Sequence, residues 1–206
     1  MIDCDLEEKS QIVRAFCDRL QLLSGSQELD MQPIFGQARV KRVEPGEILF
    51  AAGDRLEDLY FIISGLVRYF YVTPDGREFN KNFVTKGSVV TCLSSFLQSE
   101  PSPFFTESLE ETLLVCLPMD LVRSLRADDF RWERIINGFI VRLALQKEQR
   151  EASFLLDDAT KRYEAFLKDF ASVSPRLPQY HIASYLGITP VALSRIRGRR
   201  AARNTS

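Results

Sequence analysis

The stretch Gln179-Tyr180-His181-Ile182-Ala183-Ser184-Tyr185-Leu186-Gly187-Ile188-Thr189-Pro190-Val191-Ala192-Leu193-Ser194-Arg195-Ile196-Arg197-Gly198 meets the demands of a helix-turn-helix position by position. Two helices that cross near a right angle need a small residue where they touch, and Ala183 supplies it. The turn needs a residue that takes positive φ without a steric penalty, and Gly187 is that residue. Ile182, Leu186, Ile188, Leu193 and Ile196 fill the wedge between the helices. Thr189 is a suitable N-cap for the second helix, and Pro190 suits its first position. One such match is weak; the full set inside one short window is specific. The competing reading is a helical hairpin buried in a core. It accounts poorly for a second helix that carries Ser194, Arg195, Arg197, Arg199 and Arg200 in place of apolar residues.

A second helix of this kind lies in the major groove of duplex DNA and presents its N-terminal half to base edges. Arg195, one turn in, can donate a bidentate pair to guanine O6 and N7, worth about 1–3 kcal/mol of discrimination. Val191 can meet a thymine methyl, and Ser194 and Arg197 lie on the same helix. The Thr189 hydroxyl and the free N–H groups at the helix start suit a phosphate. Gln179 and Tyr180 open the first helix, where the backbone is crossed, and are candidate phosphate contacts. Arg199, Arg200 and Arg203 lie beyond the base-reading positions and add non-specific attraction.

Charge supports this assignment. From Asp158 onward nine Lys/Arg face three acids, whereas the preceding 157 residues carry 18 basic against 25 acidic groups. An acidic body with a compact basic end touches a polyanion through that end only. The 206 residues are 45% hydrophobic and 27% charged, ordinary values for a globular chain and far from a disordered or fibrous one. Met1–Glu8 is acidic without an apolar core, so no signal peptide is expected. Ser88–Ser99 is uncharged but falls short of the ~18 apolar residues of a membrane span. Cysteines at 4, 17, 92 and 116 form neither a disulfide framework nor a zinc spacing, which suits a reducing cytoplasm and predicts no metal site. One histidine, no phosphate loop and no nucleophile motif argue against an enzyme.

Upstream, Leu6, Ile12, Val13, Phe16, Leu20 and Leu23 predict a helix to about Gln27, stopped by Ser24-Gly25-Ser26. From Ala38 to Leu117 the period changes to two. Strand-like runs at Val40–Val43, Ile48-Leu49-Phe50, Leu59–Ile63, Leu66–Thr73, Arg77–Thr85 and Leu113–Leu117 are punctuated by Pro45-Gly46, Gly53-Asp54, Ser64-Gly65 and Pro74-Asp75-Gly76, the pattern of an antiparallel sandwich or roll. Pro118 opens a helix at Met119–Leu125. A longer helix, Asp129 to Leu156, spans about 40 Å. Its stripe of Phe130, Ile135, Ile136, Phe139, Ile140, Leu143 and Ala144 either folds back on its own sheet or faces a second subunit. The length favours a homodimer through Ile136, Phe139, Ile140 and Leu143. Asp157-Asp158 caps a shorter helix to about Phe170, and Ser172–Pro178 is a loop.

With these pieces in place, residues Ala38 to Gly198 resemble the Crp/Fnr family of bacterial transcription regulators. The resemblance is carried by Val43-Glu44-Pro45-Gly46-Glu47, by Gly53-Asp54 with Leu59-Tyr60-Phe61-Ile62-Ile63-Ser64-Gly65-Leu66-Val67-Arg68, and by Ala183 with Leu186-Gly187-Ile188-Thr189. It implies an α+β fold: an N-terminal antiparallel double-stranded β-roll (jelly-roll-like) sensor over 1–128, a long dimerisation helix over 129–157, and an all-α helix-turn-helix domain over 158–206. It also implies a homodimer, double-stranded DNA and RNA polymerase as partners, and a small-molecule effector. The family's cyclic-AMP binders place a glutamate and an arginine in the roll. Here those places read Thr91-Cys92-Leu93 and Ser102-Pro103, and a phosphate buried without a cation is costly. No tight cyclic-AMP binding is therefore expected. The insert Gln98–Phe105 predicts an apolar or vacant pocket. Cys4 and Cys17 do not make an iron–sulfur cluster, and no histidine in the roll can hold haem. Cys92 reads as a buried small residue, with thiol redox sensing as the alternative.

The family's base-reading Arg and Glu fall on Pro190 and Val191, so only Arg195 carries over. The chain ends eight residues after Gly198, so the wing is expected to be reduced or absent, with Arg199, Arg200 and Arg203 in its place. The alternative function is a ligand-binding or scaffold module of the cyclic-nucleotide type whose basic C-terminus binds a protein.

Overall fold

A computed structural model describes residues 6–24 and 29–204. Cys4, most of the acidic start Met1–Glu8, and Gly25-Ser26 lie outside the described residues. The chain divides into two compact units. One takes in the described residues up to Tyr69 together with Phe83–Leu143; the other takes in Phe70–Asn82 and the chain from Ala144 onward.

The first unit is a β-roll with helices on one side. Strands β1 (Arg39–Val43), β2 (Asp58–Ser64), β5 (Val89–Val90) and β7 (Thr112–Pro118) form a sheet in the order β1-β7-β2-β5. Strands β4 (Glu78–Thr85), β3 (Leu66–Val72) and β6 (Phe105–Ser108) form the second. In the first sheet β7 pairs antiparallel with both neighbours, so Cys116 lies opposite Arg39 on one side and Tyr60 on the other. Both faces of β2 and β7 are buried, which explains their nearly unbroken apolar runs. Ile62 and Leu114 point between the sheets, with Val43, Val67, Val84, Val90 and Cys116. Phe61, Val115 and Leu117 point the other way, onto helices. The β2–β3 turn requires Gly65: its φ is +108°, and a Cβ there would lie 2.2 Å from the Thr112 hydroxyl.

Helix α1 (Leu6–Ser24) buries Val13, Phe16, Cys17 and Leu20, the i, i+3, i+4, i+7 stripe its spacing predicts, while Leu6 and Leu23 stay exposed. Helix α4 (Met119–Asp128) follows Pro118 and buries Met119, Leu121, Val122 and Leu125 on the same core. Four short elements went unread in the sequence: α2 (Gln32–Gln37), β5, α3 (Leu93–Gln98) and β6. Conversely, Ile48-Leu49-Phe50 forms one bridge, Ile48 to Glu107, instead of a strand. Helix α5 (Phe130–Leu156) is continuous. Among the described residues no helix is long and apolar enough to cross a membrane.

In the second unit, α6 (Ala159–Asp169), α7 (Gln179–Leu186) and α8 (Pro190–Asn204) follow α5. Asp158 caps α6 by accepting from the backbone N–H groups of Thr160 and Lys161, each at 2.9 Å. Helix α8 runs past Gly198 to Asn204.

Candidate nucleic-acid interface

The turn between α7 and α8 is built as its residues demand. Gly187 closes α7 with φ +67° and donates to the Ala183 and Ser184 carbonyls. Ile188 N–H donates to the Ala183 carbonyl at 3.0 Å, the two-bond ending of a Schellman motif. The Thr189 hydroxyl accepts from Ala192 N–H at 3.2 Å, so it caps α8. Ile182, Ala183 and Leu186 of α7 are buried with Leu193 and Ile196 of α8. Those two α8 residues leave the opposite face, Val191, Ser194, Arg195 and Gly198, in solvent, and Val191 is 62% exposed. Pro190, Arg197, Arg199 and Arg200 are exposed as well, as are Gln179, Tyr180 and Thr189.

The arginines divide by helical angle. Arg195 shares the outward face with Val191. Arg199, Arg200 and Arg203 turn toward α6, where with Thr160, Glu164 and Ile196 they line a cleft of about 110 Å³. No ion pair engages these three arginines among the described residues, so their charge is available to an anion.

Two further cations, Arg150 and Arg162, hold the end of α7 and were missed in the sequence. Arg150 donates to the Tyr185 carbonyl at 2.9 Å and lies 3.8 Å from the Tyr185 ring centre. Arg162 donates to the Leu186 carbonyl at 3.2 Å. Phe154 stacks under both guanidinium groups, at 4.7 Å and 5.1 Å. Two cations on the last carbonyls of α7 satisfy groups that have no partner inside the helix and complement its negative end.

In the roll, Thr91 and Cys92 are buried and Leu93 half-buried; Ser102 is buried and Pro103 exposed. The Ser102 hydroxyl donates to the Phe104 carbonyl at 2.8 Å. Phe104, from the expected insert, turns inward and stacks on Tyr69 at 4.9 Å, with Phe50 at 5.8 Å. Cys92 thus shares one buried cluster with the rings of Phe50, Tyr69 and Phe104. A cyclic nucleotide does not fit this set: the candidate positions hold no carboxylate for a ribose and no cation for a phosphate. The buried cation of the roll, Arg68, is paired with Glu107. The three described thiols differ in chemistry. Burial pushes Cys17 up to about 11 and Cys116 up to about 12. Burial raises Cys92 too, but hydrogen bonds from Ser94 and Ser95 outweigh it and hold that thiol below its ordinary range.

On α5, Ile136, Phe139 and Ile140 are partly buried against the core of their own unit, with Phe139 edge-on to Phe61 at 6.5 Å, and Leu143 is half-buried. A different line of residues faces out. Gly138, Val141, Leu145, Glu148, Ala152 and Leu155 are all exposed and alternate by three and four positions. That is the spacing of a two-stranded coiled-coil seam. Val141 is 55% and Leu145 51% exposed, and nothing approaches the face of Gly138.

Comparison with known proteins agrees with this geometry. Residues 40–129 match the family described as Cyclic nucleotide-binding domain. The Fumarate and nitrate reduction regulatory protein of Yersinia pestis is 28% identical over 178 residues, which cover 78% of this chain and 68% of that protein. The Anaerobic regulatory protein of Pasteurella multocida (strain Pm70) is 29% identical over 175 residues, covering 78% and 62%. The chain thus spans about two thirds of the length of these curated relatives. The structure of FixK2 from Bradyrhizobium japonicum shares the fold, with a TM-score of 0.70 at 20% identity over 81% of this chain and 86% of that one. With a β-roll of the cyclic-nucleotide-binding type, a long helix and a terminal helix-turn-helix, matched along most of the chain by such regulatory proteins, this chain is similar to transcription regulators of the Crp/Fnr type.

Proposed function

We propose that the chain binds duplex DNA sequence-specifically as a homodimer, with a sensor over 1–128, a dimerisation helix over 129–157 and a reading head over 158–206. One observation carries the proposal: the face of α8 opposite buried Leu193 and Ile196 is wholly exposed and presents Val191, Ser194 and Arg195. Arg195 reads a guanine and Val191 a thymine methyl. Gln179, Tyr180 and the start of α8 at Thr189 and Pro190 take phosphates. Arg197, Arg199 and Arg200 add sequence-independent attraction. The partner helix packs along Gly138, Val141 and Leu145, with the outer edges of Ile136, Phe139, Ile140 and Leu143 beside it. Thr91, Cys92, Leu93, Ser102 and Pro103 line a degenerate effector site that does not take cyclic AMP. RNA polymerase is the protein partner this reading implies, in the cytoplasm.

Selection of bound sequences from a random duplex pool tests the proposal. Enrichment of a palindrome with half-sites about 34 Å apart is the expected result. Recovery of the input pool unchanged, at low salt, overturns it.

A further inference from the structure

We propose that Asn80 is a positioning residue of the DNA-reading head, fixing the first helix of the helix-turn-helix from the β3–β4 hairpin. The inference rests on the DNA-binding reading above. Residues Phe70–Asn82 belong to the same compact unit as the chain from Ala144 onward. Glu78 and Phe79 are exposed, but Asn80 is 3% exposed, a polar side chain at a place where an amphipathic strand puts an apolar one. Buried polar groups persist when they are satisfied, and the partners of Asn80 come from α7 and α5. Its side-chain Nδ2 donates to the His181 carbonyl at 3.0 Å and lies 3.1 Å from His181 Nδ1. Only the NH₂ end of an amide can face a carbonyl, so its orientation is set and Nδ1 is the acceptor. The Asn80 backbone N–H donates to the Ser184 hydroxyl at 2.9 Å, and that hydroxyl donates to the Glu78 carbonyl at 3.4 Å. Arg150, which holds the end of α7, donates to the Asn80 carbonyl at 3.3 Å.

An apolar contact would allow α7 to slide; this set of directional bonds fixes its register and rotation. The bonds engage His181 and Ser184 and leave Tyr180 60% exposed and the reading face of α8 open. The hairpin therefore braces a head that is free to engage DNA. Because α8 packs on α7, with Ala183 and Leu193 both buried, the orientation of α7 sets where Arg195 and Val191 point. Loss of the brace removes no cation. Sequence-independent attraction, which follows charge, survives, while complementarity to one sequence declines.

The test uses the full chain, wild type and Asn80→Ala, binding the palindrome selected by wild type and a scrambled duplex of equal length. Asn80→Ala is expected to weaken the palindrome about tenfold and leave the scrambled duplex within about twofold. Amide exchange should quicken over 179–186 and stay unchanged over 59–69. Ser184→Ala should show the same pattern to a smaller degree and Ser184→Thr should restore it; if Asn80→Ala does not fold, this pair carries the test. Equal affinities with unaltered exchange in α7, or parallel loss on both duplexes, would overturn the assignment. If wild type binds no duplex, the DNA-binding reading fails, and the exchange of α7 still decides whether Asn80 orders it.

Discussion

Gly187→Ala should destabilise the reading head by about 2–4 kcal/mol through two separable costs. Gly187 has φ +67°, a left-handed conformation that costs an L-residue roughly 1–2 kcal/mol. The added Cβ would also stand 2.9 Å from Phe154 Cε1, well inside the ~3.5–4.0 Å preferred by carbon pairs. Phe154 is 40% exposed and can swing away, but it then leaves Arg150 and Arg162, whose stacking is worth about 0.5–1 kcal/mol each. The single tryptophan, Trp132, is buried in the first unit and reports on that unit. The head is therefore followed by hydrogen exchange of α7 and α8 under increasing urea. In a Phe154→Ala background the clash is absent, and Gly187→Ala should cost only the backbone part, about 1–2 kcal/mol. A cost below about 0.5 kcal/mol in the wild-type background would refute the reasoning, since it exceeds neither term. An unchanged cost with Phe154→Ala would refute the assignment of the clash.

Arg195→Ala should lower affinity for the selected site by about 1–3 kcal/mol and relax preference at one base pair per half-site; a uniform loss across sequences would make it a phosphate contact. Leu145→Glu should shift the chain from dimer to monomer in sedimentation, whereas Phe139→Ala should chiefly destabilise the first unit through its lost contact with Phe61; the reverse pattern would put the seam on the other face of α5. Hydrogen bonds from the Lys161 and Thr160 N–H groups hold the Asp158 carboxyl below its usual range. Its folded-state pKa is thus depressed, so its cap is intact at neutral pH and is lost as pH falls below the ordinary carboxylate range. Exchange in α6 should quicken on acidification in wild type and show a weaker acid dependence in Asp158→Asn. Calorimetry with cyclic AMP should register no micromolar binding, and a saturable signal there would show that the roll accepts a phosphate without the expected cation.

The helix-turn-helix was legible because its constraints are local. Gly187, Thr189 and Pro190 each answer to the backbone within a few residues, and their geometry is the one their chemistry predicts. The roll was legible in outline for the same reason, through Gly65 and the turns at Pro45-Gly46 and Pro74-Asp75-Gly76. Ile48-Leu49-Phe50 looked like a strand because β propensity reflects packing on a pleated surface, yet it forms one isolated bridge at Ile48, with backbone bonds linking Leu49 and Phe50 to Thr106.

Periodicity alone establishes that α5 is a long helix with apolar residues to bury, and that the chain ends in a basic, turn-linked helix pair; both follow from interactions within a few positions along the backbone. Which α5 stripe meets the protein's own core was decided by tertiary contact, with Phe139 against Phe61 and Val141 and Leu145 left outside. Asn80 and His181 stand 101 positions apart, and Phe104 reaches Tyr69 and Phe50 across the roll. Pairings at such separations depend on how the whole chain closes, and no local spacing encodes them.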